Sequence, residues 1–390
     1  MEDFYQFLER TIQALDLAIF LVSSHSLRPI LNMLNPIERM NFMSIPLHAL
    51  FRDIECEKPM KAILSAYLKK NFKDHKNISS YFLDNFSLFF TEADAKITEA
   101  EQCLELVLKM PDENSAEKEK YFSKGLMLLY DNISEVSGDF LDHIHANYLE
   151  KIDKYWETIV LCVKYLNNLC LLEQEIKSTQ AQIENKKHMF ENKQEVYIKN
   201  IQINKESTRE LIEKILVKIL ESIKYFSKKN FFSLPNISKS FIPIKTMKIE
   251  ILNDLFEKCI KEIFKCHDDQ IQKLLVGWLF NEQLFESILN IDSKIVEEVL
   301  LSENDQKFKG KYLTLYKYYL NKGNHLQASR IAVKISLFDQ SETIAIDPSS
   351  SNQYMKDFII PEVEVINITE RLKFMNFAIQ ELENHLALLG

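Results

Sequence analysis

DDQIQKLLVGWLFNEQLFESIL (268–289) and YYLNKGNHLQASRIAVKI (318–335) bound the stretch of sequence that decides the fold. Ile271, Leu274, Leu275, Trp278 and Leu279 recur at steps of three and four, as do Tyr312, Leu315, Tyr316, Tyr319 and Leu320. Each run therefore reads as a helix with one apolar stripe. Lys322-Gly323-Asn324 separates the second run from the next helix. Glycine takes the left-handed conformation that ends a helix without a Cβ penalty, and Asn324 with Gln327 makes a capping-box-like start. The following helix presents Ala328, Ile331, Ala332 and Ile335, whose small members admit a close neighbour. Asp268 to Ile335 is thus expected to hold four or five short helices in antiparallel pairs. One pair cannot bury its stripes alone, so further pairs must flank it.

The surrounding sequence agrees. A chain of 390 residues could form two or three domains by length, yet it has only 6 Gly and 9 Pro where an average chain would carry roughly 27 and 20. Too few turn formers remain for a many-stranded fold. The expectation is an all-α protein, an elongated and irregular α-solenoid of stacked antiparallel helix pairs with no fixed repeat period.

Upstream, Phe4, Leu8, Ile12, Leu15 and Ile19 share one helix face, and Pro29, Pro36, Pro46 and Pro59 divide the next segment into short pieces. Met60, Ile63, Leu64, Tyr67 and Leu68 mark another helix. Thr91-Glu92-Ala93-Asp94 reads as a capping box before Ile97, Ala100, Leu104 and Val107. Further helices are expected over Phe122–Ile133 and within Leu141–Leu172. From Glu173 to Glu210 only one apolar residue per heptad remains (Ile176, Ile183, Phe190, Tyr197), too few for a coiled coil. A long, partly exposed helix or an insertion is expected there, and a linker over Phe231–Pro243. Asp339 to Pro361, with Ser349-Ser350-Ser351-Asn352, reads as a loop. A last helix from about Asn367 carries Ile368, Leu372, Met375, Ile379, Leu382 and Leu386. The sections are then 1–172, 173–243 and 244–390.

The net charge of -9 lies in residues 1–150, where 24 acidic side chains face 15 basic ones and the difference is the whole excess. A uniformly basic nucleic-acid footprint is absent. Lys186 to Lys229 holds 11 basic and 6 acidic residues, a net of +5, which at helical spacing reads as a solvated face before it reads as a polyanion or membrane-surface site. Cys56, Cys103, Cys162, Cys170, Cys259 and Cys266 form no CxxC pair. With an amphipathic helix opening at Met1 in place of a signal peptide, buried thiols in a reducing compartment are expected. The longest apolar run, Ala18–Val22, is too short to span a bilayer.

No phosphate loop can be written from the isolated glycines, and HExxH and GxSxG are missing. Cys259, Cys266 and His267 supply three possible zinc ligands where a structural site needs four. His143 and His145 stand two apart on a helix, a spacing that turns them to different faces. Asp268-Asp269 resembles the acidic pairs that hold magnesium in helical prenyl-transferring enzymes, but Ile271 and Gln272 stand where a third Asp is needed. The two acids suit a helix N-terminus instead. The expectation is a non-enzyme with no catalytic residue, no cofactor and no metal. Trp278, Tyr318, Tyr319 and Gly323 are expected to hold helices together.

WLFNEQLFESIL (278–289), the Tyr318-Tyr319 pair, Ala328-Ser329-Arg330-Ile331 and INITERLKFMNFAI (366–379) resemble, in order, segments of the large inner-ring scaffold nucleoporin family, the 155-kDa nucleoporin class. YFLDNFSLFFTEADAKITEAEQCL (81–104), EKEKYFSKGLMLLYDNI (117–133) and FLDHIHANYLEKIDKYWETIVLCVKY (140–165) extend the resemblance upstream. It covers most of the chain outside Glu173–Pro243 and concerns the family's C-terminal α-helical domain, lacking the N-terminal β-propeller. It implies a structural scaffold role in the nuclear pore complex inner ring, at the nuclear envelope. The implied partners are other nucleoporins, including a linker nucleoporin bound as a short segment. No direct nucleic acid is implied, membrane contact is only indirect, and the chain would be a monomer in isolation. Partner-binding residues stay unassigned. A helical adaptor of a vesicle coat is the alternative.

Overall fold

The computed structural model describes residues 2–23, 27–34, 36–44, 57–111, 114–183, 191–228, 244, 247–301, 309–336 and 368–389. Among these, seventeen α-helices and no strand occur, and the chain divides into two compact units, Met1–Phe256 and Glu257–Gly390. The fold is an irregular α-solenoid of stacked helix pairs.

The first unit holds α1 (Glu2–Ser23), α2 (Leu27–Met33), α3 (Pro36–Ser44), α4 (Glu57–Lys70), α5 (His75–Asn85), α6 (Glu92–Lys109), α7 (Ser115–Asp131), α8 (Gly138–Ile144), α9 (Tyr155–Ile183) and α10 (Glu191–Lys228). Pro29, Pro36 and Pro59 fall in the first turns of α2, α3 and α4, where the missing amide has no intrahelical acceptor to lose. The α6 capping box forms: the Asp94 amide donates to Thr91 Oγ1 (3.2 Å) and the Thr91 amide to Asp94 Oδ2 (2.9 Å).

Polar rungs show the stacking order. Lys61 pairs with Asp94, Thr98 Oγ1 donates to Ser65 Oγ at 3.2 Å, and Lys69 pairs with Glu101 at 2.7 Å, so α4 and α6 run parallel. The chain reverses through α5 between them. The same happens around α9. The Gly138 amide donates to Asn204 Oδ1 (3.2 Å), Ser207 Oγ to Asp139 Oδ1 (3.2 Å), and Lys218 pairs with Glu150, which lays the α8 segment parallel to α10. Alternate helices sharing a direction is the arrangement of antiparallel pairs in a solenoid.

Burial follows the stripes of α4 and α6: Met60, Ile63, Leu64 and Leu68, then Ile97, Ala100, Leu104 and Val107, are buried. Phe82 sits in an aromatic knot with Phe20, Tyr67, Tyr81, Phe86 and Phe90, its ring centroid 5.7 to 6.2 Å from theirs. α6 and α7 approach closely at Gly125, where a Cβ would stand 3.2 Å from the Ala100 carbonyl oxygen.

The division between the units falls inside α11 (Ile249–Ile263). α12 (Asp269–Asn281), α13 (Phe285–Leu289), α14 (Lys294–Leu300), α15 (Lys309–Asn321), α16 (His325–Ser336) and α17 (Ile368–Leu389) follow. Among the described residues, five helices lie between Asp268 and Ser336. The α16 face is the expected one, with Ala328, Ile331, Ala332 and Ile335 all buried. That of α12 is rotated: Ile271, Gln272, Leu275, Val276 and Leu279 are buried while Leu274 is exposed. Gln272 replaces Leu274 because its amide nitrogen donates to the Cys266 carbonyl at 2.6 Å, satisfying the turn before the helix.

Gly323 ends α15 at φ 66°, with the Asn324 amide bonded to the Tyr319 carbonyl (2.8 Å) and the Gly323 amide to that of Leu320 (3.0 Å). This is a Schellman motif. The same pair of bonds recurs at two residues that are not glycine. At Asp153 (φ 57°) the bonds are Lys154 to Leu149 (2.9 Å) and Asp153 to Glu150 (3.2 Å). At Gln283 (φ 62°) they are Leu284 to Leu279 (2.9 Å) and Gln283 to Phe280 (3.0 Å). A left-handed conformation costs an L-residue with a Cβ about 1 kcal/mol or more. Gln283→Gly is accordingly expected to raise stability by about 1 kcal/mol and Gly323→Ala to lower it by a similar amount, read from urea midpoints. No gain in Gln283→Gly would mean that the Gln side chain compensates for its backbone.

Residues 231–243 and 339–361, expected as linker and loop, lie outside the described residues, as do Pro46, Cys56 and Phe190. Within 173–210, the described parts belong to the end of α9 and the first half of α10, where Ile201, Lys205, Thr208 and Arg209 are buried.

Candidate partner-binding surfaces

The sequence-selected polar residues do not converge. His145 is buried in the segment after α8, its Nδ1 3.1 Å from Thr158 Oγ1 and its ring edge-on to Tyr155; burial holds its pKa below the ordinary histidine value. His143 points elsewhere, half-exposed beside Phe140 with Nε2 3.4 Å from Glu101 Oε1. Cys259 and Cys266 are buried packing residues. Asp268 is the N-cap of α12, its Oδ1 accepting from the Gln270 amide at 3.0 Å, and Asp269 lies in the first turn. Among the described residues, no group of three or more His, Cys, Asp and Glu is placed to hold a metal ion.

Tyr318 and Tyr319 are buried with their rings edge-on at 5.9 Å, and the Tyr318 hydroxyl donates to the Ser293 carbonyl at 3.2 Å. They tie α15 to the start of α14. Trp278 is half-buried on α12.

Three lysines of the basic run on α10 pair with segments that precede it. Lys205 reaches Glu173 (2.6 Å), Lys214 reaches Asp142 (3.7 Å), and Lys218 reaches Glu150. Lys205 is buried in its pair, whereas Lys214 keeps its side chain 65% exposed and Lys199 is exposed, so the described part of this face is solvated in part. Hydrogen bonds from Lys177 and Lys205 outweigh burial and hold the Glu173 carboxyl down to about 2, against an ordinary value of 4.5. A lowered carboxylate pKa stabilises fully above the unfolded value and loses that contribution as pH falls through the folded one. Glu173→Gln is therefore expected to be less stable than the parent at neutral pH and to converge with it between pH 4.5 and 2. Urea titrations at a series of pH values check this; parallel curves would remove the pair from the stability of the α9–α10 hairpin.

What the molecule does offer is apolar surface. On α1 the expected stripe faces outward: Phe4, Leu8, Ile12, Leu15 and Ile19 are exposed, along with Tyr5 and Val22. The inner face is Gln13, Ala14, Leu17 and Leu21. Gln13 is drawn inward because its Oε1 accepts from the Leu88 amide (3.0 Å) and its Nε2 donates to Ser87 Oγ (3.3 Å), while Arg10 lies over the Phe89 ring. α1 is thus apolar on two sides. A second arc at Ala14, Leu17 and Leu21 was the sequence signal that the first stripe had a rival.

α17 repeats the reversal. Leu372, Met375, Ile379, Leu382 and Leu386 are exposed, and Ala378 is buried. Phe377 stacks on Tyr316 at 6.4 Å, and Glu381 Oε2 stands 2.6 Å from His325 Nδ1. The aromatic and polar anchors, not the longer aliphatic stripe, choose the inner face. α3 has no buried residue and exposes Ile37, Met40 and Met43. Among the described residues no single helix is long and apolar enough to cross a membrane.

No protein-family model and no curated protein matches the chain. Solved structures do. A crystal structure of Chaetomium thermophilum Nup170 SOL is similar over 98% of this chain and 47% of its own, with a TM-score of 0.58 at 11% identity. A mutant form of the Chaetomium thermophilum Nup170 CTD is similar over 76% of this chain and 51% of its own, with a TM-score of 0.43 at 12% identity. The chain spans about half the length of the solved chains it matches. The first likeness shows the fold, an α-solenoid similar to that of Nup170 SOL.

Proposed function

We propose that this chain is a non-catalytic scaffold component of the nuclear pore complex inner ring that binds other nucleoporins through helical surfaces and grooves. The observation that carries the reading is the agreement with Nup170 SOL along 98% of the chain, joined to the ordered helix motifs of the sequence. The partners include a linker nucleoporin docking as a short segment; membrane contact is indirect, nucleic acid is not bound, and the isolated chain is a monomer. The sections 1–172, 173–243 and 244–390 are the proposed divisions of this role.

The apolar faces of α1, α3 and α17 support a binding role, since soluble monomers rarely leave such contiguous surface without a use. A fluorescent fusion of the full chain tests the proposal. A punctate nuclear rim is expected, and cytoplasmic vesicles or a diffuse cytosolic signal would overturn it.

A further inference from the structure

We infer that the outer face of α1 is a seam for one partner α-helix, apolar along its spine and carrying lysine or arginine along one flank. Tyr5, Leu8, Ile12, Leu15, Ile19 and Val22 follow each other by three, four, three, four and three residues. This is an unbroken 3.5-residue repeat, the spacing that keeps a seam facing a second helix over several turns. The side chains are open to solvent, with Tyr5, Ile12, Ile19 and Val22 exposed by 68%, 58%, 64% and 67%.

Charge names the partner further. Glu9 and Asp16, both exposed, stand one heptad apart on one flank of the seam. Phe4, Thr11 and Ala18 form the other flank and carry no charge. In a two-helix coil the flanking positions meet those of the partner and set its identity. Basic side chains opposite Glu9 and Asp16 complete the pairing. A second copy of this chain does not supply them: antiparallel, the two acidic rows face each other, and parallel, each faces the uncharged row. A bilayer surface fits no better, because interfacial helices carry basic polar faces and an acidic row is repelled by anionic headgroups.

The six partly exposed side chains offer on the order of 600 Å² of apolar surface, so a helix of matching length would remove about 1,000–1,200 Å² in total. That is the low end of specific interfaces, the size range of transient complexes. The inference goes beyond the pore reading and shares with it only the premise that the chain binds partners.

Two designed helices of about four heptads, with Ile and Leu on the spine, serve as probes. One carries Lys on both flanks, the other Glu, and like charge keeps each from pairing with itself. Anisotropy titration against the full chain is expected to show the Lys helix binding at least tenfold more tightly than the Glu helix at low salt. The advantage should shrink at high salt. Ile12→Gln with Ile19→Gln, which preserves helix propensity at exposed positions, is expected to abolish binding. Glu9→Lys with Asp16→Lys is expected to invert the preference. Binding of neither probe, or binding indifferent to both double variants, overturns the inference. So does a concentration-dependent dimer, or capture by phosphatidylserine-containing vesicles, that the Ile12/Ile19 variant abolishes. A nuclear rim without probe binding sinks this inference alone; probe binding without a rim sinks the pore reading alone.

Discussion

Phe82→Ala is expected to cost the first unit about 3–5 kcal/mol, the range for emptying a large aromatic from a packed core. The ring is fully buried and meets five other aromatic rings, contributed by α1, α4, α5 and the turn that leads into α6. Those neighbours are anchored on separate helices, so the site cannot collapse by moving one side chain. Lost transfer energy and a lasting cavity therefore add. The comparison is Phe4→Ala, the same substitution at an exposed position on α1, where a change within about 0.5 kcal/mol is expected. Urea unfolding followed by far-ultraviolet circular dichroism reads both. A loss below about 1 kcal/mol in Phe82→Ala would mean that the aromatic knot repacks freely.

The second large effect concerns Glu101, whose side chain is buried between α4 and α6. Lys69 Nζ lies 2.7 Å from one oxygen and His143 Nε2 3.4 Å from the other. Burial pushes the carboxyl pKa up, but the hydrogen bond to His143 and the Lys69 ammonium together hold it below the ordinary value. Lys69→Met strands a buried carboxylate with one remaining partner. A cost of about 2–3 kcal/mol at neutral pH is expected, somewhat less than for a fully severed buried pair because His143 remains. The carboxyl of the parent is depressed, so its contribution is complete above the ordinary carboxylate value and fades as pH falls through the folded value. Without Lys69 the carboxyl protonates at higher pH, and the gap between variant and parent should narrow in acid. Lys69→Met with Glu101→Gln should cost less than Lys69→Met alone, since no charge is then stranded. A double variant as unstable as the single one would place the loss in packing of the lysine stem instead.

Local signals were legible wherever one short segment settles its own hydrogen bonds. Thr91 with Asp94, and Gly323 followed by Asn324, made the starts and stops that their sequences announce. The α16 stripe was legible because its helix has only one apolar arc. Facing was less so. Periodicity states which side chains share a side of a helix and is silent on which side meets a neighbour. α1 and α17 each carry two candidate faces, and distant contacts chose between them: Gln13 with Leu88 in one case, Phe377 with Tyr316 in the other. The turn at Gln283 was hidden, since Gln does not announce a positive φ, and that at Asp153 was only weakly signalled, since Asp visits the left-handed region occasionally. The candidate partner surfaces are the leftover of that choice. Their residues were visible in the sequence, and their role as surface was not.

The division of the chain into two units has an optical consequence. It contains only two tryptophans. Trp156 lies on α9 in Met1–Phe256, and Trp278 on α12 in Glu257–Gly390. Each unit thus carries its own intrinsic fluorophore, and replacing either indole by phenylalanine leaves a probe confined to the other unit. Emission from the two single-tryptophan proteins along one denaturant gradient separates a concerted unfolding from a sequential one, with no label attached.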